Sequence, residues 1–213
     1  MLAVLLKSPA QSQQVVDKTV AVVSESSRKA QLITYSDILW QMALQPGVPL
    51  EKPTSADLNR ALRILINQRI IALEAERLPR TSPTEKEIAD KIAETLKFFP
   101  PGVFEGRLKQ VGFDSVKDEA FERIVAERVS IEKYIDFRFG SFVVVTADEE
   151  AKYYRDEYAP EFRRRNPGLL IPPLDEKRAE IRQAITQQKI AAAIERFLDS
   201  AKRRVQIEIL IEV

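Results

Sequence analysis

The sequence predicts a mainly α-helical fold carrying one small antiparallel sheet, which joins an N-terminal hairpin to a C-terminal strand. Three observations lead there. Thr19–Ser24 (TVAVVS) and Ala30–Thr34 (AQLIT) are short apolar runs flanking a polar Glu25-Ser26-Ser27-Arg28-Lys29 turn. Val205–Val213 (VQIEILIEV) alternates apolar and polar residues with period two, the pattern of a half-buried strand. Between them, apolar residues recur at helical spacing. A hairpin and a lone distant strand bury little apart, so pairing them into one sheet that ties the two ends together is the economical arrangement.

Four threonines each precede an acid by three residues at the head of an apolar-periodic segment: Thr34/Asp37, Thr54/Asp57, Thr84/Glu87 and Thr146/Glu149. Each is a candidate capping box, in which the hydroxyl accepts from an early helix N–H and the acid accepts from the cap's own N–H. The first helix is expected over about Ser36 to Leu44, stopped by Pro46-Gly47-Val48-Pro49. The second, about Ser55 to Leu78, carries Leu58, Leu62, Leu65, Ile66, Ile70 and Leu73, with Ile64 and Ile71 widening its apolar face.

The third helix shows Ile88, Ile92, Leu96 and Phe99 until Pro100-Pro101-Gly102 stops it. A short helix follows over Val103 to Val111. Gly112-Phe113-Asp114 then leads into a long one, about Ser115 to Phe137. Phe142 to Val145 reads as an extended connector, and Ala147 to about Phe162 as a charged, tyrosine-bearing helix. The last helix, about Asp175 to Arg204, runs into the final strand. Residues 15–158 and 174–213 are therefore expected to form one α-rich domain, with 159–173 as a Pro-rich linker and 1–14 as a signal remnant or a disordered N-terminus. Met1–Leu6 is apolar and Ala10-Gln11-Ser12 resembles a cleavage site, but no basic n-region precedes them.

Composition narrows the chemistry. At 213 residues the chain can bury roughly 70% of the surface its unfolded form exposes. Thirty-three basic residues offset 32 acidic ones, so no long-range field recommends nucleic acid or an anionic membrane as partner. The clusters Arg163-Arg164-Arg165 and Lys202-Arg203-Arg204 read as a loop flank and as favourable helix C-terminal charge. Cysteine and histidine are both absent, which removes disulfides, thiol nucleophiles, Ser-His-Asp arrangements and the usual zinc ligands. Adjacent acids such as Asp148/Glu149 and Asp156/Glu157 do not face each other on a helix and read as solvated faces. A non-enzymatic protein without metal or cofactor is expected.

The order of elements resembles the chaperone module of SurA-type periplasmic proteins and PrsA-like foldases. The stretches that carry the resemblance are VAVVSESSRKAQLITYSDI, LNRALRILINQRIIALEAERL, TEKEIADKIAETLKFF, GFDSVKDEAFERIVAERV, VTADEEAKYYRDEY and LDEKRAEIRQAITQQKIAAAIERFLDSAKRRVQIEIL, which span about Val16 to Leu210. Each is a loose apolar pattern, and the likeness lies in their sequence of occurrence. In that family a parvulin-type prolyl isomerase domain commonly sits between the charged helix and the closing helix. Here only a short linker occupies that place, and the histidines of parvulin sites are missing. The resemblance implies the substrate-holding module alone: a periplasmic or otherwise exported ATP-independent holdase for extended segments of unfolded envelope or outer-membrane proteins, with a cytoplasmic holdase as the alternative. No GxxxxGK[ST] loop is present for nucleotide-driven cycling.

Apolar and aromatic residues near helix breaks are the candidate peptide contacts: Trp40, Met42, Phe98, Phe99, Phe104 and Phe113, joined by Tyr153, Tyr154 and Tyr158 as a stripe. For each, packing in the core is the competing expectation. The expected partners are unfolded or extended polypeptides, with neither nucleic acid nor stable membrane insertion. A homodimer formed by exchange of terminal elements is a further expectation. A prolyl isomerase with a degenerate site and a structural adaptor are the alternative functions.

Overall fold

The computed structural model describes residues 17–25 and 30–213, and the expectations for 1–14 and for most of the hairpin turn lie outside them. The fold is mainly α with a small three-stranded antiparallel sheet. Strand β1 (Thr19–Ser24) is central, between β2 (Gln31–Thr34) and β3 (Gln206–Ile209). The register places Ala21 opposite both Ile33 and Ile209, and Val23 opposite both Gln31 and Ile207. Ala21, Val23 and Ile33 are fully buried. Beyond β3 the chain stays tied down: the Leu210 N–H donates to Val20 O at 2.8 Å, and Asn59 Nδ2 donates to Val213 O at 2.6 Å. The two distant ends thus close one unit.

All four threonine caps form as the spacing predicts, each with both hydrogen bonds of the box. They open α1 (Tyr35–Ala43), α2 (Ser55–Ala75), α3 (Glu85–Leu96) and α6 (Ala147–Tyr153). Between α3 and α6 lie α4 (Val103–Gln110) and α5 (Glu119–Ile135). The long helix α5 starts four residues later than expected. Asp118 is its cap, the carboxylate accepting from the Ala120 N–H at 2.9 Å, and 114–117 forms a bend and a turn ahead of it.

The helix expected to end near Phe162 runs on to Arg165. A wider π-type turn at Tyr154–Tyr158 carries α6 directly into α7 (Ala159–Arg165), so only 166–173 is irregular before α8 (Leu174–Lys202). Pro160 sits in the first turn of α7, where its missing N–H costs little. Arg163–Arg165 is therefore the last turn of a helix, with Arg164 and Arg165 paired to Glu161.

Two packed clusters organise the body. In the larger, the inner face of the sheet covers Ile38 and Met42 of α1, Leu62, Leu65, Ile66 and Ile70 of α2, Tyr134 of α5 and Leu198 of α8. In the smaller, Phe99, Phe104, Phe113 and Phe121 gather with Leu44, Leu108 and Val125. Helix α1 serves both, because Ile38/Met42 and Trp40/Leu44 lie on opposite sides of a 3.6-residue helix. Arg107 locks α4 to the end of α1, donating to Met42 O, Ala43 O and Gln45 O at 2.8, 2.9 and 3.1 Å. Met42 O and Ala43 O belong to the last turn of α1, where carbonyls lack i+4 helical partners, and Gln45 O follows just beyond it.

A third unit stands apart from both clusters. Helix α6, the π turn and α7 fold back on the first half of α8, burying Glu150, Ala159, Ile181 and Ile185. The second half of α8 belongs to the main core. One helix of 29 residues, about 44 Å long, therefore carries both the body and this helical hairpin.

Candidate functional site

The candidate contacts separate sharply. Met42, Phe104 and Phe113 are 1%, 1% and 4% exposed, and Phe99 is buried beside them. The rings of Phe99 and Phe104 pack tilted at 4.8 Å, and those of Phe113 and Phe121 at 5.6 Å. Trp40 is half-buried against Phe113 at 5.1 Å, and its Nε1 donates to Val111 O at 3.0 Å. As peptide contacts Met42, Phe99, Phe104 and Phe113 are corrected: they are core residues with no face left for a ligand. Phe98, next to Phe99 in sequence, is the exposed member of the set at 66%.

Two of the three tyrosines, Tyr154 and Tyr158, join Phe162 in a partly exposed row of rings, and Tyr153 stands outside it. Tyr154 stacks on Tyr158 at 5.7 Å and Tyr158 on Phe162 at 6.0 Å, one helical turn apart each time. The Tyr154 hydroxyl donates to Pro172 O at 2.9 Å, which pins the loop before α8. Tyr153, Tyr158, Pro160 and Phe162 line an open cleft of about 800 Å³ whose rim carries Glu157, Glu161, Arg164 and Lys177. Partial burial raises the Tyr153 pKa, with Glu157 and Glu180 adding to the effect. At the tip of this hairpin Leu169 and Leu170 are 64% and 94% exposed.

A second groove contains none of the candidates. It runs between α2, α5 and α8, holds about 340 Å³, and is lined by Ile64, Ile71, Ile131, Ile135, Ile194 and Leu198. Asn67, Gln68, Arg128 and Glu132 form its polar margin. Two of those are held from behind: Arg128 donates to Gln41 Oε1 at 2.5 Å, and Glu132 pairs with Lys91 Nζ at 2.7 Å. Burial lowers the Arg128 pKa against the opposing pull of Glu132 and Glu127. The sequence holds a signal for this groove in Ile64, which lies off the main stripe of α2 and stays partly exposed, whereas Ile71 is buried in the larger cluster.

Below the groove lies a polar crevice of about 30 Å³, room for about one water molecule. Arg69 bridges Glu127 and Asp37 there, at 3.7 Å from Asp37. Burial works against the guanidinium charge, but Glu127, then Asp37 and Glu76, outweigh it and leave the Arg69 pKa above its ordinary value. This constellation ties α1, α2 and α5 together and has no group poised as a nucleophile or base. Among the described residues no set of three or more acidic side chains is placed to hold a metal ion, and no helix is long and apolar enough to cross a membrane.

Taken together, the geometry provides shallow grooves with apolar walls and polar margins. No protein-family model matches the chain, and no curated protein matches it.

Proposed function

We propose that this protein is an ATP-independent chaperone that holds extended segments of unfolded polypeptides, with the groove between α2, α5 and α8 as its main binding surface. The observation that carries this reading is a groove walled by the partly exposed Ile64, Ile135 and Ile194, with Ile71, Ile131 and Leu198 of the core as its floor. The resemblance to SurA-type modules supports it, and by the same resemblance the protein acts in the periplasm or another exported compartment on envelope or outer-membrane clients. Capture is weak and reversible because an extended client must be ordered at the moment of binding. The aromatic cleft of the helical hairpin supplies a second apolar surface for longer clients.

The test is suppression of aggregation of a chemically denatured client without ATP. Suppression at micromolar protein is expected, and it should fall in an Ile64→Glu/Ile135→Glu variant whose far-UV circular dichroism is unchanged. Absence of both suppression and peptide binding in the wild-type protein overturns the reading. Proline-limited refolding should show no acceleration.

A second reading, a dimer built through the terminal elements, is favoured by one feature. Ile209, Leu210 and Ile211, at the outer edge of the sheet, are 57%, 49% and 40% exposed. An apolar strand edge is a template for pairing with another chain. Light scattering at high concentration separates the two readings, with a strict monomer removing the second.

A further inference from the structure

A third groove differs from the others in charge. It holds about 540 Å³ on another side of α8, between that helix and the connector that follows α5. Phe142 and Val144, on the connector, are 75% and 72% exposed, the largest apolar exposure outside the hairpin tip. Ala192 and Ala193 form the α8 side, low enough for an extended backbone to approach closely. The charged residues lining it, Arg138, Lys189 and Arg196, are all cationic.

Only one of those cations is neutralised. Lys189 Nζ lies 2.6 Å from Glu149 and also donates to Val144 O at 2.7 Å, which fixes the connector against α8. Arg138 and Arg196 make no ion pair among the described residues. The Arg138 guanidinium lies 5.7 Å from the ring centre of Phe139 and hydrogen-bonds the neutral Tyr134 side chain, which leaves its charge unpaired. Two uncompensated guanidinium groups beside exposed aromatic and branched side chains create a local positive potential in a chain whose net charge is only +1. Guanidinium is the group best matched to a carboxylate, through paired N–H donors.

We infer that this groove binds an extended apolar peptide segment bearing acidic side chains. The inference rests on the chaperone reading and adds a charge preference to it: Phe142 and Val144 bury the client's apolar residues, while Arg138 and Arg196 pair with its Asp or Glu. With a net charge of only +1 the chain offers no broad basic face to an anionic bilayer, whereas two guanidinium groups match the few carboxylates of one peptide segment.

The experiment compares two fluorescently labelled, end-blocked nine-residue peptides of alternating Leu, Phe and Ser, one with two Glu and the other with Gln at the same positions. The Glu peptide should bind about fivefold more tightly, as two exposed charge pairs allow, and the difference should shrink with added salt. In an Arg138→Gln/Arg196→Gln variant both peptides should bind with the affinity of the Gln peptide. Both side chains are exposed, and because Arg138 also hydrogen-bonds Tyr134 the variant is compared with wild type only where its far-UV circular dichroism is unchanged. Phe142→Ser should weaken both peptides alike. Equal affinity of the two peptides for the wild type, or a preference that survives in the double variant, overturns this inference and leaves the holdase reading intact. Failure of both peptides to bind overturns both. Equal peptide affinities combined with sedimentation on phosphatidylserine vesicles assign the groove to a membrane surface instead and overturn the peptide site.

Discussion

Glu150 of α6 accepts from Nε and Nη2 of Arg182 on α8, at 2.8 and 2.5 Å, while only 1% of its own side chain is exposed. Arg178 approaches its other oxygen at 3.3 Å. The burial is one-sided, since Arg182 and Arg178 are 57% and 45% exposed. Removing the arginines strands a buried carboxylate, whereas removing the carboxylate frees two groups into water. Arg178→Ala/Arg182→Ala should therefore cost about 3 kcal/mol and Glu150→Leu less than about 1 kcal/mol. Urea unfolding of the two variants checks the order, and the reverse order would contradict the assigned burial.

Acid should loosen the contact between α3 and α5. Lys133 Nζ donates to Glu87 at 3.0 Å, and the Thr84 N–H and hydroxyl donate at 2.7 and 3.0 Å. Lys133 first, then Thr84, hold the Glu87 carboxyl down from its ordinary 4.5 to about 2. A carboxyl with a lower pKa in the folded state contributes stability that is fully present above its unfolded value and is lost as pH falls through the folded one. The melting-temperature difference between wild type and Glu87→Gln should therefore shrink as pH falls from 4.5 to about 2. A constant difference across that window would exclude the assignment.

Phe104 and Phe98 should behave in opposite ways despite similar sequence surroundings. Phe104→Ala empties the centre of the aromatic cluster and should cost about 3–5 kcal/mol. Phe98→Ala changes an exposed side chain and should stay within about 0.5 kcal/mol. Denaturant midpoints measure both.

Gly112 ends α4 at φ 92°, with its own N–H on Lys109 O at 3.2 Å and the Phe113 N–H on Leu108 O at 3.0 Å. This is a Schellman closure, and it delivers Phe113 into the core beside Leu108. A Cβ there would meet nothing within 4 Å, so the cost of Gly112→Ala is backbone strain alone, about 1–2 kcal/mol. Thermal melts should show that loss, while a larger one would mean that Phe113 has left its site.

Much of the fold was legible because its signals are local. Each threonine and its acid lie within one helical turn, and each proline acts on its own neighbours, so caps and breaks survive without tertiary context. The longer run of helix, to Arg165 instead of about Phe162, has an equally physical cause. Pro160 falls where a helix tolerates proline, and a π turn absorbs the change of phase that would otherwise end the helix.

By itself the sequence determined the element types, the four capping boxes and the pairing of the two ends into a sheet. Only the tertiary structure decided which apolar residues are covered. Phe98 and Phe99 illustrate the division: neighbours after the same helix, they are 66% and 9% exposed. Periodicity tells which way a side chain points from its own helix. Whether another helix lies in that direction depends on the packing of the whole chain, and the uncovered remainder of that packing is where the grooves lie.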